Sequence, residues 1–365
     1  MKILVGLSGG VDSAYAALRL IRMGAVVEGA VLKMHKYTDI DEASEVARGL
    51  GIPIHVIDCS VAFESTVVKN FISEYKNART PNPCVICNSE IKFIYLLKYA
   101  LENGFDLIAT GHYAAIYEIE DASVKRLSTE DVLSKNPVES KLGKRYALGF
   151  GTDEKKDQTY MLWRLPQSVL SRLVLPTGDE CKAEVKKKAG EAGIPAAERQ
   201  ESQEICFIPD GNYASYIENR TEPSPEGCFV DEAGNILGKH RGIIRYTVGQ
   251  RRGLGISASG RIFVKAIDPV SNNITLSLRD SQYTRVTVSG ISYQGIAPRK
   301  YGEELTAWVK LRYAAPPVEA SVRFLSADCA QITLKTPVRA VTAGQSAVFY
   351  RGGILAFGGF IDRAE

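Results

Sequence analysis

Ile3-Leu4-Val5-Gly6-Leu7-Ser8-Gly9-Gly10-Val11-Asp12-Ser13 is the stretch on which the fold turns. An apolar run, a glycine turn and a helical stretch follow one another, so the order is strand, turn, helix. Backbone N–H groups at the helix start are then left unpaired, and with the helix dipole they favour an anion. Gly9 and Gly10 permit positive φ and close approach of a ligand, while Ser8 and Ser13 add hydroxyl donors. Asp12 is placed to hold a divalent cation beside a phosphate. No Gly-x-x-x-x-Gly-Lys-Ser/Thr stretch occurs, so this is not the common kinase or GTPase loop. The competing reading is a glycine turn that opens a Rossmann-like domain without a nucleotide.

Outward from this loop, strand-like runs at 2–7, 25–33, 53–58 and 106–110 alternate with helical patterns near 12–23, 41–50, 61–76 and 89–103. Gly24, Gly51 and Gly104 stand where helix C-terminal caps belong. Such alternation predicts right-handed crossovers and a parallel sheet, with ligands beyond the strand C-termini. Both Ser8–Ser13 and Thr110-Gly111-His112-Tyr113 fall there, so they are expected to be neighbours. Residues 153–192 read as helical, with an apolar stripe of Leu162, Leu165, Val169, Leu170 and Leu173. Around 195–235 the composition turns to Pro, Glu, Ser and Gly, marking a boundary. Beyond it the pattern is β: Ile262–Ile267 and Ile274–Leu278 flank the hairpin signal Asn272-Asn273, and Val318–Leu325, Gln331–Leu334, Ala347–Tyr350 and Gly353–Ile361 continue as strands. One or two small barrels follow from strands so spaced. A chain of 365 residues suits two or three domains, and the divisions expected are 1–200, 201–270 and 271–365.

Composition narrows the class. With 45 % apolar residues and no apolar run near the ~18 needed to span a bilayer, the chain reads as globular, with no membrane partner. Met1-Lys2 leads directly into the first strand, so a cytoplasmic address is expected by default. The net charge of +3 says little, but 239–252 carries Lys239, Arg241, Arg245, Arg251 and Arg252 without an acid. That run is a solvated face or a contact to nucleic-acid phosphates. Seven cysteines at irregular spacing argue against a disulfide framework and leave thiols available for chemistry.

In Thr80-Pro81-Asn82-Pro83-Cys84-Val85-Ile86-Cys87-Asn88 the prolines impose an extended lead-in, and a helix is expected just after Cys87 with Asn88 as its cap. A thiol beside a helix N-terminus is pushed toward thiolate. Half a zinc site and a redox pair are the competing readings of Cys-x-x-Cys. Ser202-Gln203-Glu204-Ile205-Cys206-Phe207-Ile208 carries a further cysteine, which taken alone reads as an inert core residue.

Taken in order, these segments resemble the tRNA-specific 2-thiouridylases. The resemblance is carried by Ser8–Ser13, Asn82-Pro83-Cys84-x-x-Cys87-Asn88, Thr110–Tyr113, Lys156-Asp157-Gln158-Thr159-Tyr160 and Ile205-Cys206-Phe207-Ile208. Val248-Gly249-Gln250-Arg251-Arg252-Gly253-Leu254-Gly255, Arg312-Tyr313 and Thr342–Tyr350 extend it over nearly the whole chain. It implies an α/β PP-loop domain of the adenine-nucleotide α-hydrolase type, followed by two small β-rich domains, the last a β-barrel. It also implies ATP and Mg²⁺ as cofactors, tRNA as substrate, and an upstream persulfide donor as partner. The implied reaction transfers AMP to the C2 oxygen of the wobble uridine, and sulfur then replaces that oxygen. Cys206 matches the persulfide-bearing cysteine and Cys87 the other catalytic cysteine, which ends in a disulfide with Cys206.

By the same matching, Gly6, Leu7, Ser8, Gly9, Gly10, Val11, Asp12 and Ser13, with Leu32 and Gly111, would hold ATP. Asn82, Pro83, Cys84 and His112 would approach the target base, and Lys156, Asp157, Gln158, Arg312, Tyr313 and Gln345 would touch tRNA. Two departures stand out. Cys84 occupies a position where many family members carry aspartate, and His35–Asp41 is shorter than the matching acidic and aromatic segment. Two other readings remain open from the residues: another adenylating ligase with the same loop, and an RNA-binding protein with a vestigial nucleotide site.

Overall fold

The computed structural model describes residues 1–120, 123–134, 144–194, 205–257 and 260–365. Four strands, β1 (Lys2–Gly6), β2 (Val26–Lys33), β3 (Ile54–Asp58) and β4 (Leu107–Ala109), form a parallel sheet with a short fifth strand, Leu173–Val174. Their order is β3-β2-β1-β4 and then Leu173–Val174, with β1 in the centre. Ile3, Leu4 and Val5 are fully buried, as central strands of helix-covered parallel sheets are. One core unites them with Ala14, Ala17 and Leu20 of α1 (Val11–Arg22) and with Phe93, Leu96 and Ala100 of the helix Phe93–Glu102. The next helix, α2 (Ile40–Leu50), is capped by the Asp39 side chain, which accepts from the Glu42 N–H at 2.8 Å, and ends at Gly51 with φ +66°.

Two expectations for local structure need correction. Residues 153–192 do not form one helical run. Pro166 and Pro176 break it into single turns, a short helix Gln167–Leu170, the strand Leu173–Val174 and the helix Lys182–Glu191. The apolar stripe is nonetheless core, each member at most 1 % exposed. The helix expected to begin after Cys87 begins at Pro83. Proline fits the first helical turn because its missing N–H is not needed there, so Asn82 takes the N-cap position. Cys84 therefore lies in the first turn, and Asn88 sits inside the helix.

The middle β unit is a four-stranded sheet of Ile236–His240, Gly227–Val230, Asn273–Ser277 and Phe263–Asp268, in that order. Its hairpin turns at Asn272, which takes φ +55°. The expected 270/271 division falls inside this hairpin, so we place that division after Ser277. The last unit is a barrel of Gln282–Tyr293, Glu304–Lys310, Val318–Phe324, Cys329–Arg339, Ser346–Arg351 and Ile354–Ala364. It closes because Gln282–Tyr293 pairs with both Cys329–Arg339 and Ile354–Ala364. No helix among the described residues is long and apolar enough to cross a membrane.

The first unit and the barrel are stitched together. Strands Ala115–Glu120, Ser123–Leu127 and Arg145–Gly149 leave the parallel sheet and extend the barrel sheet, joined where Ile354 meets Gly149. Fully buried Gln294 accepts from the Leu148 N–H at 3.1 Å and donates to the Leu162 and Trp163 carbonyls at 3.0 Å. Trp163 in turn donates to Ser346 Oγ at 3.0 Å. Gln294→Leu strands one buried donor and deprives three carbonyls, that of Leu165 at 3.4 Å included, of this partner. It is expected to cost about 3 kcal/mol or more, read as a lower urea midpoint with the m value unchanged.

Candidate functional site

The loop Leu7–Gly10 joins β1 to α1 at the C-terminal edge of the sheet. Gly9 has φ +79°, and a Cβ there would stand 2.7 Å from Glu42 Cβ, so only glycine suits the position. The Ser8 N–H donates to Ser13 Oγ at 3.2 Å, the Gly10 N–H to Ser8 Oγ at 3.4 Å, and Ser13 Oγ–H to the Gly10 carbonyl at 3.0 Å. The α1 N-cap residue, Gly10, offers no side chain to the first-turn N–H groups. These features make a concave set of donors suited to a phosphate.

Asp12 is committed. Lys182 Nζ donates to both of its carboxylate oxygens at 2.6 Å, and Tyr113 Oη–H donates at 2.8 Å. Gly111 explains how Tyr113 arrives there. A Cβ on Gly111 would lie 2.4 Å from the Asp12 carbonyl carbon, so the chain leaving β4 rests backbone to backbone on α1. Ser8–Ser13 and Thr110–Tyr113 are thus neighbours. Lys182 had no place in any sequence motif; only its position opening the helix Lys182–Glu191 hinted at it.

The thiols gather beside this edge. Cys84 and Cys206 are exposed, whereas Cys87 is 5 % exposed, with its thiol 3.6 Å from Met34 Sδ. Phe207 and Ile208, next to Cys206, share one apolar cluster with Cys87, Cys59, Phe63 and Phe71. Packing therefore draws the Cys206 segment onto the Cys87 helix. Of the quoted cysteine segment, Ser202, Gln203 and Glu204 lie outside the described residues. Burial pushes the Cys87 thiol up to about 12, against the opposing pull of Lys92, with Cys206, Cys84 and Cys59 adding to the rise. Burial likewise raises Cys206. The expected helix-induced thiolate at Cys87 is thus overturned, because the residue is sealed within the helix and not at its end. Among the described residues no group of three or more His, Cys, Asp or Glu side chains is arranged to hold a metal.

His112 bridges the two halves. It follows Gly111, its Nδ1 lies 2.9 Å from Thr110 Oγ1, and its ring lies 5.5 Å from that of Phe93. Burial, with Lys92 nearby, pushes it down to about 3, so it is a neutral imidazole at physiological pH. Asn82, 8 % exposed, opens the cysteine helix, and Gln345 on the barrel donates to the Thr80 and Pro81 carbonyls at 3.1 Å, fixing the lead-in. Arg312 donates to Thr342 Oγ1 at 2.9 Å, and the half-exposed Tyr313 ring lies 6.0 Å from Tyr160. Asp157 is buried, accepts from Thr159 Oγ1 at 2.9 Å and lies 4.0 Å from Lys310; burial raises its pKa. Gln158 accepts from the Tyr113 N–H at 2.8 Å, and Lys156 ends the preceding turn, half-buried. Leu32 is half-buried on β2 beside the thiol cluster. Hydrogen bonds thus join Asp12 to Tyr113 and, through it, to Gln158, and Gln345 to the lead-in of the cysteine helix, while Asp157, Gln158 and Gln345 serve as internal braces.

Fold and site together define an α/β domain with a phosphate-type loop, a thiol cluster on the same sheet edge and two β units that brace it. Residues 1–210 match the family model described as a tRNA methyl transferase HUP domain, 214–278 a tRNA methyl transferase PRC-barrel domain, and 284–361 an aminomethyltransferase beta-barrel domain. The chain is 40 % identical to the tRNA-specific 2-thiouridylase MnmA of Acetivibrio thermocellus, over 99 % of each chain. It is 36 % identical to that of Clostridioides difficile, over 100 % of this chain and 98 % of the relative. The chain belongs to the tRNA-specific 2-thiouridylase family.

A buried thiol with a raised pKa reacts in proportion to its small thiolate fraction. Alkylation of Cys87 by iodoacetamide, followed by peptide mass spectrometry, is expected to trail that of exposed Cys84 at pH 7.5. It should then rise about tenfold per pH unit between pH 7 and 9.

Proposed function

We propose that the chain catalyses ATP-dependent 2-thiolation of the wobble uridine of tRNA. The observation that carries this reading is the continuity of the sheet edge. Gly111 rests on the backbone of Asp12, His112 follows it against Phe93, and the same helical segment carries Cys84 and Cys87. A phosphate-binding loop and a sulfur site so joined suit a reaction that first activates an oxygen and then displaces it. Family membership gives the substrate class. A methyl transfer, the wording of the family models, would leave the gathered thiols without a task.

The chemistry follows from the poor leaving ability of a carbonyl oxygen. The uridine O2 attacks the α-phosphorus of ATP and pyrophosphate departs, its charge met by the loop N–H groups and the Ser8 and Ser13 hydroxyls. A sulfur nucleophile then adds to C2, and AMP leaves with the former O2. The sulfur originates as a persulfide on Cys206, loaded by an upstream donor protein. Cys87 sulfur attacks Cys206 Sγ, the Cys206 S–S bond breaks, and the outer sulfur leaves with two electrons as sulfide or, if already bonded to C2, as the thiolated base. The Cys87–Cys206 disulfide that remains must be reduced before the next turnover. In this structure all seven cysteines are free. Neutral His112 is suited to hydrogen-bond the base. Leu32 and Gly111 would border the nucleotide, and Lys156, Arg312 and Tyr313 would meet the anticodon arm.

Mg²⁺ does not fit on Asp12 in this geometry, because an ammonium group spans both carboxylate oxygens.

Incubation of tRNA with the protein, ATP, Mg²⁺ and a persulfide donor should yield 2-thiouridine by nucleoside mass spectrometry, with one pyrophosphate per thiolation. Pyrophosphate release without thiolation would favour another adenylating ligase, and neither product would favour a vestigial nucleotide site. In single-turnover assays Cys87→Ala and Cys206→Ala are expected to lose at least about a hundredfold. Cys84→Ala should lose less than about tenfold, and equal losses for all three would refute that division of roles.

A further inference from the structure

The cysteine helix changes its winding where the chemistry is expected. Between Pro83–Ile86 and Phe93–Glu102 it runs as a π-helical turn, Cys87–Lys92, in which the Phe93 N–H donates to the Asn88 carbonyl five residues back. In an α-helix the neighbours on one face are three and four residues apart, and a residue five along turns away. The wider π turn, with its i→i+5 hydrogen bond, brings position i+5 round toward the side of position i. Lys92 is five residues after Cys87, so this turn carries its side chain to the face of the Cys87 thiol.

Lys92 is half-buried, and among the described residues no carboxylate pairs with it. A buried ammonium without a counter-ion is costly. The groups around it are sulfur and imidazole: Cys87, Cys206 and Cys84 act on it, and His112 and His35 both sense its charge. Burial works against that charge, yet Cys87, then Cys206 and Cys84, outweigh it and hold the Lys92 pKa above its ordinary value. Conversely, Lys92 pulls both the Cys87 and the Cys206 thiols down against their burial, joined at Cys206 by the backbone N–H groups of Cys206 and Phe207.

We propose that Lys92 is a positioning residue whose ammonium group steadies anionic sulfur as it passes between Cys206 and Cys87. This deepens the preceding reading and rests on it. When the Cys87 thiolate attacks Cys206 Sγ, negative charge moves from Cys87 to the departing sulfide. A cation common to both cysteines accompanies that charge throughout. Its pull on Cys87 opposes the burial of that thiol without cancelling it.

The test is the pH profile of Cys206 alkylation by iodoacetamide, followed by peptide mass spectrometry on the full-length protein without tRNA or ATP. Lys92→Met keeps the length and apolar stem of the side chain, and Lys92→Arg keeps its charge. For Lys92→Met the profile should move up by about one pH unit, with alkylation about tenfold slower at pH 7.5. For Lys92→Arg it should stay within about threefold of the parent. A Lys92→Met profile superimposed on the parent, or equal shifts in both variants, would overturn the proposal. Thermal unfolding of each variant separates loss of charge from loss of fold. Failure of the unaltered protein to thiolate tRNA would overturn the preceding reading instead, since the alkylation profile requires no thiolation.

Discussion

The contact of Gly111 with the backbone of Asp12 fixes the relation between every other part of the site. Because no Cβ intervenes, the chain leaving β4 lies directly on the first turn of α1, and His112 and Tyr113 emerge at set positions. Tyr113 reaches back to Asp12, and its backbone exchanges hydrogen bonds with Gln158. His112 turns toward Phe93, the first residue of the helix that follows the π turn. One missing methyl group thereby couples the loop after β1 to the cysteine helix and to the segment bearing Lys156–Gln158. A side chain there would have to push the two backbones apart, and dense packing leaves little room for that.

The parallel sheet was legible because its strands are short apolar runs punctuated by glycine, and because the glycine-serine loop fell between a strand and a helix. The barrel was legible from strand spacing, and the hairpin of the middle unit from Asn272-Asn273. What misled was proline. Pro166 and Pro176 divide a stretch whose apolar period looked helical, and Pro83 starts a helix where an extended lead-in was expected. Periodicity reports which residues face inward, and that part held for Leu162 through Leu173. It does not report whether the backbone can supply the N–H groups that a continuous helix needs.

Among the site residues, motif and spacing located the loop and the thiols but not the charges that govern them. Lys182 on Asp12 and Lys92 beside Cys87 are brought in by tertiary packing and by a π turn, and neither belongs to a sequence motif. Nothing in the sequence hinted that Cys87 would be sealed, since the prolines pointed to an extended lead-in and a thiol at a helix start. Its burial is shared by neighbours such as Phe63 and Phe71 and by Phe207 and Ile208, more than a hundred residues later, in one cluster. Inner shielding raises the thiol and a neighbouring cation lowers it, so its reactivity is a balance set by residues distant in sequence.

The stitching of the barrel to the first unit bears on how the protein is made. The ribosome releases β1, α1 and the cysteine helix well before Gln345, which holds Thr80 and Pro81, and Ile354, which meets Gly149. A nascent chain, or one truncated by a premature stop, can therefore assemble the parallel sheet while the lead-in to Cys84 and Cys87 still lacks its brace. The approach to the cysteine helix thus gains its support only after the barrel strands have emerged, so its geometry depends on residues more than 260 positions away.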